Sequence, residues 1–220
     1  VDYFLRRGFS SVRLVNLPIL IEIPSMQNDN LELERAIRER YAANGKFFVT
    51  CGSRLVYEKG YDLLIEALQK IPESIRKNLR VLIVGKGDEK SSLQRLCSEY
   101  DLIETVIFED WMEFRHFTQC VSASDLFVNP ARFDAFGGGP LLAMSLGIPV
   151  LGSLQAGSCR ELIKHGLNGF LYESSNTDHL AEYLIKCYDS RDDLKRMGKQ
   201  AKTDMELYPT QIVDTFIQNC

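Results

Sequence analysis

Short apolar runs alternate with amphipathic stretches along most of this 220-residue chain. From Lys46 onward the apolar runs read K-F-F-V-T-C-G, R-V-L-I-V-G, T-V-I-F, D-L-F-V-N and I-P-V-L-G-S. Between the first two lies 61–71, a stretch of helical period with Leu64, Leu68 and Ile71 on one face. Buried strands that alternate with helices of about ten residues indicate β-α-β crossovers. The pattern therefore predicts an α/β fold, a doubly wound parallel sheet covered by helices on both faces.

The two ends of the chain depart from this alternation. Residues 12–23 are extended and apolar but are interrupted by Pro18, which is typical of an edge strand or a connector. A helix is predicted over about 31–43, with Asn30 as its cap and Asn44-Gly45 at its end. Two or three helices are expected from about Thr177 onward. We therefore expect a connector over residues 1–30 and a single domain over residues 31–220.

Composition and charge exclude several classes of protein. The net charge is −4 and the basic residues are scattered, so nucleic acid is not an expected partner. Six cysteines without a C-x-x-C pair and three histidines without metal-ligand spacing predict reduced thiols in a cytosolic protein and no metal. No apolar run reaches about 18 residues, and no signal peptide is recognisable. The first residue, Val1, suggests a fragment of a longer protein.

Ligands of a doubly wound sheet bind at the carboxyl ends of its strands, so the loops there carry the candidate site. The first such loop, G-S-R-L-V-Y-E-K-G over residues 52–60, places Gly52 in a tight turn and offers Arg54 and Lys59 as cations for a diphosphate. An ordinary polar loop would show the same residue types. The second, V-L-I-V-G-K-G-D, carries Gly85 at its turn, but Lys90 stands where a dinucleotide fingerprint needs its third glycine. A nicotinamide-dependent dehydrogenase is therefore not the leading interpretation.

The most informative loop is F-D-A-F-G-G-G-P, residues 133–140. Gly137, Gly138 and Gly139 leave the backbone bare, and Pro140 suits the first position of the helix that follows. The free N–H groups at a helix start carry roughly half a positive charge, which favours a phosphate or sugar oxygen. Asp134, just upstream, could accept hydrogen bonds from a sugar hydroxyl. A flexible loop with a capping acid is the alternative.

Other residues with chemical potential carry weaker signals. Glu161 falls about one turn inside a helix after another glycine turn, and either packing or a site role fits it. Trp111 lies in the F-E-D-W-M loop at the end of a predicted strand and fits either a wall of a base-binding pocket or the core. His116, His165 and His179 lie on predicted helices or their ends and are expected to be surface or packing residues.

These motifs occur together in an order and spacing that resemble one known family. G-S-R-L-V-Y-E-K-G-Y-D-L-L-I-E-A-L, V-L-I-V-G-K-G, A-S-D-L-F-V-N-P-A-R-F-D-A-F-G-G-G-P-L-L-A-M-S-L-G-I-P-V and E-L-I-K-H-G-L-N-G-F-L resemble a retaining GT-B glycosyltransferase of group 1, or family 4. The likeness covers about residues 46–190 and concerns the C-terminal half, which binds the donor. It implies a Rossmann-like domain, with the acceptor-binding N-terminal domain outside this chain.

The resemblance also implies roles for individual residues. Arg54 and Lys59 match the family's basic residues that hold the donor diphosphate, and the amides of 137–139 match its glycine loop. The family brackets this loop with two glutamates eight positions apart; the first helps to hold the sugar and the second binds the ribose. Asp134 matches the first with a shorter acid, and Leu142 matches the second. Losing a carboxylate from a ribose hydroxyl would cost about 1.5–3 kcal/mol, roughly ten- to a hundred-fold in affinity.

The function implied is transfer of a sugar from a nucleotide-diphosphate sugar to an acceptor hydroxyl with retention, in polysaccharide, lipopolysaccharide or other glycan synthesis. The acceptor would be a glycan or a lipid-linked glycan, the location cytoplasmic at or near the inner face of a membrane, and no cofactor or metal would be needed. This chain alone is expected to be inactive. Two alternatives remain open, namely a non-catalytic nucleotide-sugar-binding or assembly module and a GT-B sugar epimerase.

Overall fold

The structure of the protein is a computed structural model. It describes residues 6–8, which form a turn, and residues 31–218, with the side chains of the last helix described as far as Tyr208. The expected connector over residues 1–30, with the apolar run 12–23 and the Asn30 cap, lies outside the described residues apart from that turn.

The described strands form one parallel sheet of six members in the order β3-β2-β1-β4-β5-β6. In chain order they are β1 Phe47–Gly52, β2 Leu79–Val84, β3 Val106–Glu109, β4 Leu126–Asn129, β5 Val150–Ser153 and β6 Gly169–Tyr172. This order is that of doubly wound, Rossmann-like sheets. The predicted fold class is therefore confirmed.

Helices connect the strands and close the chain. They are α1 Leu31–Arg40, α2 Tyr61–Lys70, α3 Glu73–Arg76, α4 Lys90–Glu99, α5 Phe114–Ser122, α6 Gly138–Ser145, α7 Gly157–Leu162, α8 Thr177–Asp189 and α9 Arg191–Gln218. A short 3₁₀ turn, Tyr57–Lys59, precedes α2.

The alternation of side chains along β1 explains why helices cover both faces of the sheet. Phe47 and Val49 pack into the cluster that includes Leu64 and other residues of α2 and α8. Phe48, between them, points the other way into a cluster with residues of α1 and α5. All three side chains are fully buried. The apolar run K-F-F-V-T-C-G therefore forms a central strand of the sheet.

Two helix boundaries differ from the sequence-based expectation. The first helix ends at Arg40 instead of about Ala43, because Ala42 adopts a left-handed conformation with φ 49°. Helix α6 begins at Gly138, so Pro140 is its third residue and not its first. The first four N–H groups of a helix have no partner within it, so proline is tolerated throughout that turn.

The strand order fixes where a ligand can approach. The chain passes from β3 at one edge back to β4 beside β1, so β1 and β4 are neighbours whose connections run in opposite directions. The loops after these two strands separate at the carboxyl edge and leave a crevice. They are residues 53–60 and 130–137, which overlap the two loops that the sequence had singled out, 52–60 and 133–140.

Candidate functional site

A cavity of about 220 Å³ lies in the crevice between the loops after β1 and β4. Its lining includes all but two of the predicted site residues, namely Gly52, Arg54, Lys59, Asp134, Gly137, Gly138 and Gly139. Cavities that enclose a drug-sized molecule measure roughly 300–1,000 Å³. This one is smaller and has room for a phosphate group or a sugar.

The loop after β1 supplies one wall of this cavity. Gly52 lets α5 approach, since a Cβ there would lie 2.6 Å from the Phe117 ring. The Ser53 hydroxyl is hydrogen-bonded to the Tyr61 hydroxyl at 2.7 Å. Arg54 is exposed, and its guanidinium has no hydrogen-bonding or ionic partner among the residues that the structure describes. One cation of the loop is therefore available to an anion.

Lys59 and Asp134 meet across the crevice. The Lys59 Nζ lies 2.5 Å from Asp134 Oδ2, and the two side chains are 15% and 13% exposed. The backbone of Asp134 is fixed from the β5 side, because its N–H donates to the carbonyl of Gln155 and its own carbonyl accepts from the N–H of Gly157. The carboxylate therefore stands at a defined place beside the lysine ammonium.

The three consecutive glycines form the second wall, and each has a different environment. Gly137 has φ +85°, and a Cβ there would lie 2.8 Å from Asp134 Oδ2. A Cβ on Gly139 would meet the Phe127 ring at 2.6 Å, whereas a Cβ on Gly138 would meet nothing within 4 Å. Helix α6 begins at Gly138 without a side-chain cap. Its first N–H groups are left for a ligand or solvent, and such groups favour an anion.

Leu142 and Gly85 do not line this cavity. Leu142 is 1% exposed and packs in the apolar cluster beneath α6 with Phe127 and Met144. Gly85 supports the loop after β1 from behind, since a Cβ there would lie 1.9 Å from the carbonyl oxygen of Ser53. The ligand-binding roles predicted for these two residues remain predictions.

Residues that the sequence had not singled out also line the cavity, among them Tyr61, Asn129 and Pro130. Asn129 Oδ1 accepts a hydrogen bond from the N–H of Ala131, and its Nδ2 lies 3.3 Å from the position of a Cβ on Gly137. Asn129 is the last residue of β4. The rule that ligands bind at carboxyl strand ends could have found it.

The remaining candidates lie apart from the cavity lining. Trp111 is 70% exposed, so the core-packing alternative for it is wrong. Glu161 accepts a hydrogen bond from the Tyr208 hydroxyl at 2.9 Å, which ties α7 to α9. His165 accepts from the N–H of Leu171 through Nδ1 and contacts the Tyr183 hydroxyl through Nε2, as expected of a packing histidine.

The described cysteines are free and buried. Burial raises the pKa of Cys97, Cys159 and Cys187 to about 12, and that of Cys120 to about 11, so these thiols stay protonated at neutral pH. Within the described residues, no three metal-ligating side chains come together. Over the same part of the chain, none of the helices is both long and apolar enough to cross a bilayer.

The fold and the cavity together define a doubly wound domain with an anion-suited crevice at its switch point. A family model described as "Glycosyl transferases group 1" matches residues 34–204. The chain belongs to this family, as the motifs of the sequence had suggested.

Individual relatives agree with this assignment. The chain is 32% identical over 165 residues to a GDP-mannose-dependent monoacylated alpha-(1-6)-phosphatidylinositol monomannoside mannosyltransferase of Corynebacterium glutamicum, a match that covers 72% of the chain and 42% of the relative. The fold of the chain is similar to that of HepE of Anabaena, whose crystal structure contains UDP and glucose. The TM-score is 0.73 and the identity 24%, and the match covers 87% of this chain and 53% of HepE. The fold is also similar to that of the C-terminal domain of a group 1 glycosyltransferase, LpcC of Francisella tularensis. Here the TM-score is 0.68 and the identity 19%, and the match covers 77% of this chain and 90% of the LpcC domain.

The coverage shows which part of the fold is present. The chain spans less than half of the mannosyltransferase and about half of HepE, but it matches nearly all of the isolated LpcC domain. The chain therefore has the fold of the C-terminal half of a GT-B glycosyltransferase, in agreement with the sequence-based prediction.

Proposed function

We propose that this chain is the donor-binding half of a glycosyltransferase that takes a sugar from a nucleotide-diphosphate sugar and transfers it to an acceptor hydroxyl with retention. The observation that carries the proposal is the convergence at one crevice of Arg54, Lys59 and the uncapped start of α6. Two cations and a set of helix N–H groups suit a diphosphate. The UDP and glucose in the crystal structure of HepE support a donor of this chemical class.

Each residue would have a defined part in the transfer. Arg54 and Lys59 would stabilise the negative charge that develops on the diphosphate as its bond to the anomeric carbon breaks. The amides of residues 137–139 would hold donor oxygens. Asp134 would position the sugar through its hydroxyl groups. The acceptor oxygen would form its bond to the anomeric carbon on the face that the diphosphate leaves, and its proton would pass to an oxygen of the departing diphosphate. The cations and the helix dipole would supply the electrostatic stabilisation that a metal gives elsewhere.

The proposal extends to the whole protein. The acceptor, a glycan or a lipid-linked glycan, would bind through a second domain outside this chain, in polysaccharide, lipopolysaccharide or related synthesis. The reaction would take place in the cytoplasm, at or near the inner face of a membrane. We expect this chain alone to bind the donor and to transfer no sugar.

One observation favours a second candidate, a non-catalytic nucleotide-sugar-binding or assembly module. Leu142 stands where the family has a ribose-binding glutamate, and it is buried in the core beneath α6. A pocket without that carboxylate has lost one grip on the nucleotide. The exposed Arg54 beside the open glycine loop nevertheless favours a chain that binds the donor over one that has lost donor binding.

Calorimetric titration with uridine, guanosine and adenosine diphosphates tests donor binding. We expect one of them to bind the wild-type chain, and Arg54→Ala to weaken that binding about ten- to a hundred-fold, the effect of losing one charged contact. Arg95→Ala, which removes another exposed arginine from α4, is the matched control and should bind like the wild type. If none of the three binds, or if Arg54→Ala binds equally well, the donor site is not where we place it.

Assays on the full-length protein distinguish the enzyme from the module. With a radiolabelled donor sugar and membrane or glycan acceptors, the enzyme is expected to yield a labelled product, whereas a module would bind the diphosphate and transfer nothing. Donor epimerised in the absence of acceptor would favour the epimerase.

A further inference from the structure

Arg132 lies at the crevice but does not line the cavity. It belongs to the loop after β4, two residues before Asp134, and its side chain is 18% exposed. Its side-chain hydrogen bonds lead across the crevice to the 3₁₀ turn and to the start of α2. Nη1 and Nη2 donate to the two carboxylate oxygens of Asp62 at 2.7 and 2.6 Å, and Nη1 also donates to the carbonyl of Tyr57 at 3.0 Å.

The same guanidinium also stacks on an aromatic ring. Its central carbon lies 4.1 Å from the centroid of the Tyr57 ring. The hydrogen bonds with Asp62 raise the pKa of Arg132 above its already high usual value, so the cation is permanent. A planar fork that binds a carboxylate with two bonds and lies on an aromatic face is something that arginine offers and lysine does not.

These contacts hold the 3₁₀ turn that carries Lys59. Tyr57 begins that turn and Lys59 ends it, while Asp62 follows in the first turn of α2. The backbone adds a further tie, since the N–H of Phe133 donates to the carbonyl of Glu58 at 3.0 Å. The two loops are therefore joined on both sides of the segment that places Lys59 opposite Asp134.

We infer that Arg132, Asp62 and Tyr57 form a clamp that sets the separation of Lys59 and Asp134, and that they are positioning residues for the diphosphate site. The inference rests on the proposed function for its role in binding, but the clamp itself is a feature of the ligand-free chain. Without it, the loop after β1 would keep its length and charge while Lys59 lost its fixed place. Groups displaced by about 1 Å bind and catalyse much less well.

The first test needs no ligand. Lys59 contacts a carboxylate and is 15% exposed, so a brief pulse of an amine-acylating ester should label it slowly in the wild type. Arg132→Gln and Asp62→Asn should each raise the labelling rate of Lys59, read by mass spectrometry of peptides, about fivefold, which corresponds to opening by about 1 kcal/mol. The double variant should show the same rise as either single one, because both remove one interaction.

The second test measures binding. With the nucleoside diphosphate that the wild type binds most tightly, we expect Arg132→Gln to raise the Kd about tenfold, as loss of one well-placed charged contact would. Arg132→Lys keeps the charge but loses the fork, and should lie nearer to the glutamine variant than to the wild type. The matched control is Lys70→Gln. Lys70 is the last residue of α2, the helix that carries Asp62 in its first turn, and this variant breaks the ion pair of Lys70 with Asp178 of α8.

The outcomes of these tests distinguish a clamp that positions Lys59 from a general loosening of the protein. Unchanged Lys59 labelling in both single variants overturns the inference, and so does an equal rise in Lys70→Gln, because that would indicate general loosening. If Arg132→Gln does not fold, Tyr57→Leu removes only the stacked ring, which is 63% exposed, and should give a smaller rise in labelling. If the wild type binds none of the three diphosphates, the proposed function fails while the labelling result still decides the clamp.

Discussion

Two glycine-rich turns of the described chain, at residues 85–87 and 137–139, lie in different surroundings. A Cβ on Gly85 or Gly87 would lie within about 2 Å of backbone oxygens of Ser53 and Leu55. In the second turn the place of a Cβ on Gly138 is open space at the start of a helix. The first pair of glycines lets one loop of the protein approach another, whereas Gly138 in the second turn leaves room for a molecule from outside.

This difference shows what a glycine motif can and cannot indicate. Both turns follow a buried strand and both precede a helix, as dinucleotide-binding turns do. What separates them is the neighbour that occupies the space a side chain would need. In the 85–87 turn the neighbour is the loop after β1, which is bound there by the hydrogen bonds of Leu55 N–H to Lys86 and of Glu89 N–H to Leu55.

The largest loss of stability is expected for substitution of Gly87. A Cβ there would lie 2.1 Å from the carbonyl oxygen and 2.6 Å from the carbonyl carbon of Leu55, and neither can rotate away. We expect Gly87→Ala to lower the free energy of unfolding by at least about 3 kcal/mol, measured by urea denaturation. Gly138→Ala is its control and should change that free energy by less than about 1 kcal/mol, in the stabilising direction because alanine favours a helix. Equal losses in the two variants would remove the distinction between the turns.

A smaller loss is expected on the packed side of α6. Leu142 lies in an apolar cluster, so Leu142→Glu should lower the free energy of unfolding at pH 7 by about 2–3 kcal/mol. Burial would raise the folded-state pKa of the new carboxyl above its unfolded value, so the native state would bind the extra proton and its stability would fall as the pH rises above about 4.

The same variant also tests the role of this position in binding. Because Leu142 does not line the cavity, Leu142→Glu should bind the diphosphate no more tightly than the wild type. Leu142→Met, similar in volume, should cost less than about 1.5 kcal/mol in stability and nothing in binding. Tighter binding by the glutamate variant would show that the side chain at this position reaches the ligand.

The smallest effect is expected on the open side of the second turn. Gly138→Ala adds one methyl group at the N-terminus of α6, where we place the diphosphate. It should raise the Kd of the bound diphosphate about five- to tenfold, or about 1 kcal/mol, in calorimetric titration. Unchanged binding, in a variant that folds like the wild type, would mean that the ligand does not approach this backbone.

Much of the fold could be predicted from local sequence. The strands from β1 to β5 were predicted to within about two residues, because each is a short apolar run between turn or helix signals. The start of α6 was missed by two residues, since proline fits any position of a first helical turn.

The site could be predicted only as far as single loops allow. Arg54, Lys59, Asp134 and the glycines were identified as candidates, but Lys59 and Asp134 lie 75 residues apart in the chain and their contact depends on the strand order. The clamp was missed for the same reason, because Asp62 and Arg132 lie 70 residues apart in the chain. Gly85 was identified as a candidate from its loop alone. Only the fold reveals that another loop of the protein fills the space beside it.

The most direct test of the proposed donor site is the response of glycine amides to nucleotide. Backbone ¹H–¹⁵N correlation spectra of the chain, recorded with uridine, guanosine and adenosine diphosphates in turn, resolve glycine N–H signals individually. We predict that the diphosphate that binds shifts the signals of Gly138 and its neighbours Gly137 and Gly139 and leaves those of Gly85 and Gly87 nearly unchanged. Shifts confined to Gly85 and Gly87, or no shift at Gly138 with any of the three, would contradict the assignment of the open turn as the donor site.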